Sequence, residues 1–432
     1  MKKVIKISIH VESSSEKQYL QVPFTVPEDV SRIDIEYDYI RHRTENTQYG
    51  QRSAEVNIID IGLHAPNDDF VGTSGSNRKH IWISESNSSL GYSDRKTVAG
   101  QWNILLGAYK VEPQGVDVEY TVTFTMKERK LYFGDTHVHS LASDGNMFVP
   151  ELAKLGKKVG MDFIFTTDHN NYSQNYESHN TDGITVIPGC EWTHYNGHIN
   201  FYGVKRPVQS AFPVNSEEEA IAVIHEAKAN GALISPNHPH CPNCGWRWSF
   251  GLDFDYDMVE LWNGATMPNV NMDTVNWWHD MLCKGKKIPA VCGSDFHSLE
   301  PFRLIGQPVL GVYANSANPS DILDAMKNGQ SFLACDPGGA KIMMQSGEAI
   351  LGGTSKKGEA VKVVFSDLLK GDVIRFITNT HTEEWICEDG FKQAEREYSG
   401  GDYIFARFEI YRPYSPYGMN FPILISNPIY FD

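Results

Sequence analysis

Histidines and acids that can bind metal ions are concentrated in the middle of the chain. Eleven of the 16 histidines lie between residues 137 and 297. Neutral imidazole together with carboxylate suits zinc, manganese or iron, whereas an oxygen-only site would suit calcium or magnesium. The residues therefore predict a transition-metal centre. The motifs that carry them are Asp135-Thr-His137-Val-His139, Ser143-Asp144-Gly145, Asp168-His169, Glu191, His198, His238 and Asp295-Phe-His297.

The number of candidate ligands predicts two or three ions rather than one. Glu191 and Asp295 are acids that could bridge neighbouring ions. Ions about 3.5–4 Å apart can clamp an ester or phosphoryl oxygen while they lower the pKa of a bridging water. The expected chemistry is hydrolysis, with a metal-bridging hydroxide as the nucleophile.

Apolar runs typical of strands precede most of these motifs. His137 and His139 are two residues apart, so on a strand their side chains share a face. Helical patterns separate the runs, and one of them begins with a capping box from Ser216 to Glu219. Strands that alternate with helices, with reactive residues at the strand ends, predict an α/β barrel. The runs are 130–134, 163–165, 184–187, 232–234 and 288–291, and the helical patterns are 149–159, 216–229 and 271–284.

The ordered motifs resemble those of the PHP superfamily, named for polymerase and histidinol phosphatase, over roughly residues 130 to 335. The flanking sequence looks most like the branch that contains carbaryl hydrolase. The resemblance implies a distorted (β/α)7 barrel with a trinuclear metal site.

The resemblance also implies a distribution of ligands over three ions. Asp144 stands where some members have histidine, and His198-Ile-Asn departs from the commoner His-Ile-Leu. Loss of His198 as a ligand would leave a two-metal enzyme. By this pattern His137, His139, Glu191 and Asp295 hold the first ion, Glu191, His198 and His238 hold the second, and Asp144, His169 and His297 hold the third.

Further residues are candidates for catalysis or substrate binding. His194 and His240 could orient a ligand or donate a proton to the leaving group, or they could be solvated loop residues. Arg303 could recognise a phosphoryl or carboxylate group, or it could be a surface arginine. Aromatic and polar side chains could line a substrate pocket, with core packing as the alternative. These pocket candidates are Trp246, Arg247, Trp248 and Asn263.

A Cys-x-x-Cys motif, Cys241 to Cys244, follows His238. A structural zinc site usually needs two more ligands at a second spacing, and the chain has no second Cys-x-x-Cys. A redox motif would open a helix, which Pro242-Asn243 in a tryptophan-rich loop does not suggest. A loop without metal, with a local disulfide under oxidising conditions, is the expectation. His179 and His225 are likewise expected to have no role in the site.

The chain is long enough for several domains, and its pattern predicts a multidomain α/β plus all-β protein. Alternating strands and turn signals predict an N-terminal β-sandwich over residues 1–128. The metallohydrolase barrel is expected over residues 129–335. Strands return over residues 336–432, where a C-terminal Ig-like β-sandwich is expected.

Charge and hydropathy narrow the partners. A net charge of −16 argues against a nucleic-acid partner, because backbone binding needs clustered lysine and arginine. No run reaches membrane-spanning length and the start resembles no signal peptide, so no membrane partner and a cytoplasmic location are expected. The seven cysteines do not suggest a disulfide framework.

The preferred function is hydrolysis of a small-molecule phosphoester. Hydrolysis of a carboxylic ester or carbamate at the same metal site is the first alternative, favoured by the few basic residues near the motifs. A non-catalytic module that binds saccharide or protein is the second. The sequence leaves the oligomeric state open.

Overall fold

A computed structural model describes residues 1–177, 183–210, 212–265, 267–300, 303–415, 417–418 and 420–432. The chain divides into two compact units, Met1–Glu128 and Arg129–Asp432. None of the helices in the described ranges is both long and apolar enough to span a membrane.

The first unit is built from strands and two short 3-10 helices, Ser13–Ser15 and Pro66–Asp68. Strands β1, β10, β3 and β8 form one sheet, β2, β9, β6 and β7 form a second, and β4 pairs with β5. The strands are β1 Lys2–Val11, β2 Gln18–Val26, β3 Val30–Tyr39, β4 His42–Thr47, β5 Gly50–Glu55, β6 Ile58–Ala65, β7 Asp69–Ser74, β8 His80–Ser84, β9 Gly100–Lys110 and β10 Val116–Met126.

Both four-stranded sheets of the first unit contribute to one apolar core. Along β10, buried residues alternate with exposed or half-buried ones, because successive side chains of a strand point to opposite faces. Ile35 of β3 and Ile61 of β6, one from each sheet, are fully buried in this core. Two sheets that share a core in this way have the layered arrangement of a β-sandwich.

The second unit combines α-helices with mixed sheets. Its helices are α1 Val149–Lys158, α2 Glu217–Ala229, α3 Pro268–Cys283 and α4 Pro319–Lys327, with a 3-10 helix at Ser173–Tyr176. Its strands are β11 Lys130–Asp135, β12 Phe163–Thr166, β13 Thr185–His194, β14 Gly197–Tyr202, β15 Leu233–Pro236, β16 Val259–Asn263, β17 Ala290–Gly293, β18 Val309–Ala314, β19 Ser331–Ala334, β20 Lys341–Ser346, β21 Ala349–Ile350, β22 Thr354–Ser355, β23 Val361–Leu368, β24 Val373–Thr378, β25 Thr382–Ile386, β26 Phe391–Tyr398, β27 Phe405–Tyr411, β28 Pro422–Ser426 and β29 Ile429–Phe431.

One large sheet runs through the second unit. Its order is β15-β14-β13-β12-β11-β18-β19-β28-β27-β24-β25, and β29 pairs with β22 and β27. Strands β11, β12 and β13 are parallel, so their carboxyl ends meet at one edge. Strands β16 and β17 form a separate parallel pair, and β21, β20, β23 and β26 form a four-stranded sheet.

Three of the four helices match the predicted helical patterns to within a few residues. In α2 the Ser216 side chain accepts the Glu219 backbone N–H at 3.2 Å, while Glu219 accepts the Asn215 N–H at 2.6 Å. The predicted helix start at Ser216 is therefore confirmed. Helix α3 begins at Pro268 rather than at Asn271, because proline is well tolerated in the first turn. Helix α4 was missed by the sequence patterns.

The structure confirms a chain that combines an α/β region with β-rich regions. The four α-helices of the described residues do not show the complete (β/α)7 alternation. The large sheet continues from β19 to β28, which joins the predicted barrel to the predicted C-terminal domain within one compact unit. The boundary between residues 335 and 336 stays a prediction.

Candidate metal centre

The predicted metal-binding motifs lie at the carboxyl ends of the central strands. Asp135 ends β11, and His137 and His139 follow it, while His169 follows β12. Glu191 lies near the end of β13, His238 follows β15, and Asp295 and His297 follow β17. His198 differs, because it lies at the start of β14, which runs antiparallel to β13. Because β11, β12 and β13 are parallel, these ends converge. The strand positions predicted from the apolar runs are therefore confirmed.

His137, His139 and Asp295 form the first group of donors. The Asp295 Oδ1 atom lies 3.1 Å from His139 Nε2 and 3.4 Å from His137 Nε2. Both imidazoles are fully buried. Ligands held about 2.0–2.2 Å from one ion lie roughly 3.0–3.5 Å apart, so these spacings suit a shared cation.

Glu191 lies at the middle of the second group. Its carboxylate is buried and has imidazole nitrogens on several sides. The Oε2 atom lies 2.8 Å from His169 Nδ1, and the Oε1 atom lies 3.2 Å from His198 Nδ1 and 3.5 Å from His238 Nε2. His137 Nε2 is also only 3.3 Å from Oε1. One carboxylate in contact with this many imidazoles could hold a metal ion together with them.

Asp144, His169 and His297 form the third group, close to His139. Asp144 Oδ1 lies 3.3 Å from His297 Nε2, and its Oδ2 lies 3.6 Å from His169 Nε2. The rings of His139 and His297 are stacked with their centroids 4.0 Å apart. Asp144 is the exposed member of this group, so this end of the centre faces solvent. The structure thus brings together all nine predicted ligands, and their roles as ligands stay a prediction.

The buried nitrogens of this cluster test whether the residues fit metal ions. The Nε2 atoms of His137 and His139 make no hydrogen bond within the described part of the chain. Buried polar atoms are normally hydrogen-bonded. A buried nitrogen lone pair that accepts no hydrogen bond lowers the stability of the fold unless an ion or a water molecule occupies it. Their positions beside two carboxylates fit a cation.

The electrostatics of the acids also fit a centre that collects positive charge. Burial alone would raise the pKa of Glu191, but the neighbouring His137 and His198 hold it well below its usual range. Burial acts in the same direction on Asp295, and His137 and His139 again outweigh it, so the pKa of Asp295 is also lowered. Both carboxylates are therefore ionised at neutral pH.

Backbone conformation in the loops is part of the arrangement. His238 and Asp295 have φ values of 30° and 53°, in a region that residues with a Cβ atom rarely adopt. Strained backbone of this kind is concentrated at functional sites, where the surrounding structure holds it. At Gly293 a Cβ atom would lie 2.2 Å from the Cβ of His137, so only glycine allows this close approach.

Glu260 of β16 belongs to the centre and was missed by the sequence patterns. Its Oε1 lies 2.9 Å from His137 Nδ1, and its Oε2 accepts the backbone N–H of His238 at 2.9 Å and the amide of Asn263 at 3.2 Å. A carboxylate behind a ligating imidazole fixes its orientation and raises its basicity. The available signal was an acid inside the apolar strand Val259–Asn263.

Asn237 was also missed, although it is adjacent to a motif residue. Its side-chain amide donates to Glu191 Oε1 at 2.8 Å. The Asn237 side chain therefore holds the Glu191 carboxylate from a second direction.

Asp135 and Asp168 brace the loops. Asp168 accepts hydrogen bonds from the Ser140 backbone, the Ser140 hydroxyl and the Ser143 hydroxyl at 2.7–2.8 Å. Asp135 accepts from the backbone of His137, Ser294 and Gly306. Burial raises the pKa of Asp135 to about 6, against the effect of these hydrogen bonds. Both acids fix the conformation of the chain around His137 and His139.

His194 and His240 lie beside the ligand strands, with other contacts. His194 stacks on Trp248 at 4.5 Å, and its Nδ1 accepts the Asn196 backbone N–H. Three residues from Glu191 on β13, it belongs to the opposite face of that strand. His240 pairs with Thr274 Oγ1 of α3 at 3.0 Å, and burial lowers its pKa. Their catalytic roles stay predictions.

The candidate substrate-binding residues divide into packed and exposed side chains. Trp248 is buried and stacks on Trp192, while Trp246 stacks on Phe254 at 5.2 Å. Arg247 is exposed and donates to the carbonyl oxygens of Asn243 and Pro242 in its own loop. Arg303 is exposed, and Asn263 contacts Glu260. His179 lies outside the described residues.

Comparisons with known proteins were made by family, by curated sequence and by solved structure. No family model matches the chain, and no curated protein matches it. Solved structures do match, and PHP-like metal-dependent phosphoesterases are among them, as the motifs predict.

Three of these structures illustrate the likeness. A two-domain protein from Bacteroides vulgatus containing a predicted PHP-like metal-dependent phosphoesterase has a TM-score of 0.41 and 16% identity, and the match covers 70% of this chain and 96% of that one. A protein from Bifidobacterium adolescentis, provisionally assigned as a metal-dependent phosphoesterase, has a TM-score of 0.34 and 15% identity, and the match covers 44% of this chain and 96% of that one. An amidohydrolase from Chromobacterium violaceum has a TM-score of 0.29 and 16% identity, and the match covers 40% of this chain and 89% of that one. The likeness to the carbaryl-hydrolase branch stays a prediction.

Proposed function

We propose that the chain is a metal-dependent hydrolase of the PHP type that hydrolyses a small-molecule phosphoester. The observation that carries this proposal is the group of nine histidine and acid side chains whose donor atoms converge at the ends of the central strands. Two fully buried imidazole nitrogens that make no hydrogen bond to the described residues lie among them. A purely structural cluster would be expected to pair such atoms.

The proposed ligand sets follow the three groups of donors. His137, His139 and Asp295 lie within one cluster of mutually close donor atoms, as do His139, Asp144, His169 and His297. A further cluster contains His169, Glu191 and His198. This grouping supports two or three ions with Glu191 as the bridge. His238 would join the Glu191 ion through its Nε2 atom. Histidine with carboxylate favours Zn²⁺, Mn²⁺ or Fe²⁺ as the ions.

The residues of the chain orient the reacting groups. Bound ions in such a site lower the pKa of a coordinated water and polarise an ester oxygen. Glu260 holds the His137 ring so that its Nε2 points toward Glu191 and Asp295. Asp144 and His297 lie at the solvent-facing end, where a substrate can enter. The proposed mechanism needs substrate at this end and ionised Glu191 and Asp295 on the buried side.

The proposed architecture extends the observed sheets. The central strands would form a distorted (β/α)7 barrel over residues 129–335, with β-sandwich domains before and after it. The parallel pairing of β11, β12 and β13 supports this, as does the isolated bridge between Val138 and Phe296 that relates the ends of β11 and β17.

Ester or carbamate hydrolysis at the same centre is the second candidate. A phosphoryl group is usually recognised by arginine or lysine, and Arg247 and Arg303 are the arginines considered for that role. Arg247 contacts its own loop, and Arg303 is an exposed residue. The position of these two arginines favours a substrate with less charge.

Initial rates on a matched chromogenic set would test the proposal. The set contains a phosphomonoester, a phosphodiester, a carboxylic ester and an aryl carbamate, assayed with Mn²⁺-loaded and Zn²⁺-loaded protein. Turnover of a phosphoester that is lost on chelation supports the proposal. Turnover of the ester or carbamate alone favours the second candidate, and metal-loaded protein that is silent on all four substrates favours a binding module.

A further inference from the structure

The loop after β15 carries a second group of metal-binding donors. Its side chains are His238, Cys241 and Cys244, and their nitrogen and sulfur atoms all lie within 4.8 Å of one another. Backbone hydrogen bonds close the loop, from Cys241 N to the His238 carbonyl at 2.8 Å and from Gly245 N to the Cys241 carbonyl at 3.0 Å. Both cysteines are free thiols. The three donors are thus held together by a short, hydrogen-bonded turn.

The spacing of these donors fits a tetrahedral ion. His238 Nδ1 lies 3.6 Å from Cys244 Sγ. Zinc binds sulfur at about 2.3 Å and imidazole nitrogen at about 2.0–2.1 Å, so at a tetrahedral angle the two atoms lie about 3.6 Å apart. The Cys244 backbone N–H donates to Cys241 Sγ at 3.3 Å. A donor aimed at sulfur favours the thiolate, the form that binds metal.

The chemistry of this group differs from that of the histidine–carboxylate centre. Two sulfurs and one imidazole prefer zinc or copper(I), whereas a mixture of histidine and carboxylate also accepts manganese and iron. We propose that His238 Nδ1, Cys241 Sγ and Cys244 Sγ form an additional binding site for a thiophilic cation such as Zn²⁺. The fourth coordination position is open to a ligand from solvent, as in zinc sites with three protein ligands.

His238 connects this site to the histidine–carboxylate centre. Its Nδ1 atom faces Cys244, while its Nε2 atom lies 3.5 Å from Glu191 Oε1. The two nitrogens of one imidazole therefore face two different groups of donors, and a cation on the cysteine side would fix the orientation of the ring. Ions on both nitrogens at once would require the ring to lose its remaining N–H proton and bind as imidazolate. The site does not depend on the proposed hydrolysis, because the proposed hydrolase gives no role to His238 Nδ1 or to the two cysteine sulfurs, although it uses His238 Nε2.

The sequence pattern was interpreted as a loop without metal because no second Cys-x-x-Cys exists. Our proposal replaces that interpretation, because His238, three residues before Cys241, would be the third donor. A histidine so close in sequence to the cysteines is easily assigned to the neighbouring motif instead.

Cobalt spectroscopy and metal counting would test the site. Reduced full-length protein is loaded with Co²⁺ without oxygen, and the thiolate-to-cobalt charge-transfer band is recorded; Zn²⁺ per chain is measured in parallel. The Cys241→Ser/Cys244→Ser double variant should lose the band and one equivalent of Zn²⁺. Cys283→Ser is the matched control, because Cys283 also lies 3.6 Å from an imidazole nitrogen, that of His279, without a second sulfur. It should keep both signals.

A measurement on the unaltered chain covers the case in which the double variant does not fold. Zn²⁺ should protect two thiols of the native protein from an aromatic disulfide reagent, and mapping should assign them to Cys241 and Cys244. Absence of both the band and the protection would overturn the site, leaving Cys244 Sγ only as a hydrogen-bond partner of His238. Protein that is silent on every ester but keeps the band and the protection would overturn the hydrolase proposal and leave this one standing.

Discussion

Each unit of the chain buries a glutamate, and the surroundings of the two side chains differ. In the first unit, Glu112 accepts hydrogen bonds from Arg43 Nε at 2.8 Å, Arg43 Nη2 at 2.9 Å and Asn57 Nδ2 at 3.0 Å. In the second unit, Glu191 is surrounded by imidazoles, and the His137 and His139 Nε2 atoms beside it make no hydrogen bond in the described residues.

The difference separates a structural network from a binding site. At Glu112 the arginine fork and the amide supply donors to both carboxylate oxygens, and the pKa of Glu112 is lowered chiefly by Arg43. At Glu191 most neighbours are imidazoles, whose nitrogens donate or accept hydrogen bonds according to their protonation state. A neutral imidazole can also direct a nitrogen lone pair toward a cation. The first arrangement is complete without a ligand, whereas by our proposal the second is completed by metal.

Removal of a ligand should have the largest effect on the metal centre. His137→Ala or Asp295→Ala should lower metal-dependent turnover by more than the roughly 10–100-fold that loss of an outer partner costs. Metal content after gel filtration and initial rates would measure the effect. His225→Ala, at an exposed position of α2, is the control and should keep wild-type values. Full activity in both ligand variants would break the comparison.

Glu260→Gln should have an intermediate effect. The amide keeps the size of the side chain but no longer offers the charged acceptor that holds His137 Nδ1. Metal affinity should fall about 10–100-fold while the fold is retained. Competition with a fluorescent chelator would measure the affinity, with Glu36→Gln at an exposed position of β3 as the control. Equal affinities in the two variants would show that Glu260 does not position the ligand.

Acid should weaken metal binding gradually. Burial lowers the pKa of His169, but Glu191 and Asp144 outweigh it and raise that pKa, and the pKa of His137 is raised in the same way. Metal must displace these protons, so affinity should fall about tenfold per pH unit for each proton displaced. In the metal-free protein the contribution of His137 and His169 should have the opposite trend, because a raised histidine pKa stabilises the fold below about pH 6.5 and this stability is lost as the pH rises through the raised pKa.

Two thermal series would check this opposition, one with metal and one with chelator. The melting temperature of the metal-loaded protein should rise between pH 6 and pH 8 on account of tighter binding, relative to that of the chelated protein. Parallel curves would contradict the assignment of His137 and His169 as ligands.

Asn57→Ala should leave metal binding unchanged and destabilise the first unit. The buried Asn57 side chain donates to Glu112 and to the Ile40 carbonyl, and its oxygen accepts the Glu112 backbone N–H at 2.8 Å. Loss of these bonds should cost about 1–3 kcal/mol, since the partners are left buried. Chemical denaturation would measure this loss in the free energy of unfolding, with Asn103→Ala, at a half-buried position of β9, as the control. A change in metal content would show that the two networks are not independent.

The sequence predicted the ligand strands because apolar runs and polar ends leave a clear pattern. The positions of His137, His139 and Glu191 could be read from this pattern together with the motif order. Glu260 could not, because a single acid inside an apolar strand carries no sign of which imidazole it contacts. His238, the third donor of the proposed cysteine site, could not be predicted for a related reason. The sequence does not show which nitrogen of His238 faces which neighbour. Such contacts depend on loop conformation, including the positive φ of His238.

The most direct measurement is the equilibrium binding of Mn²⁺ by the unaltered protein and by Asp295→Ala. Both samples are first treated with chelator, and binding is measured by calorimetric titration with Mn²⁺. Mn²⁺ is chosen because it disfavours the cysteine donors. The account predicts at least two Mn²⁺ ions per native chain and fewer in the variant, with the variant still folded. Native protein that binds no Mn²⁺, or a variant that binds as much as the native chain, would contradict the claim that the imidazoles around Glu191 form a metal centre.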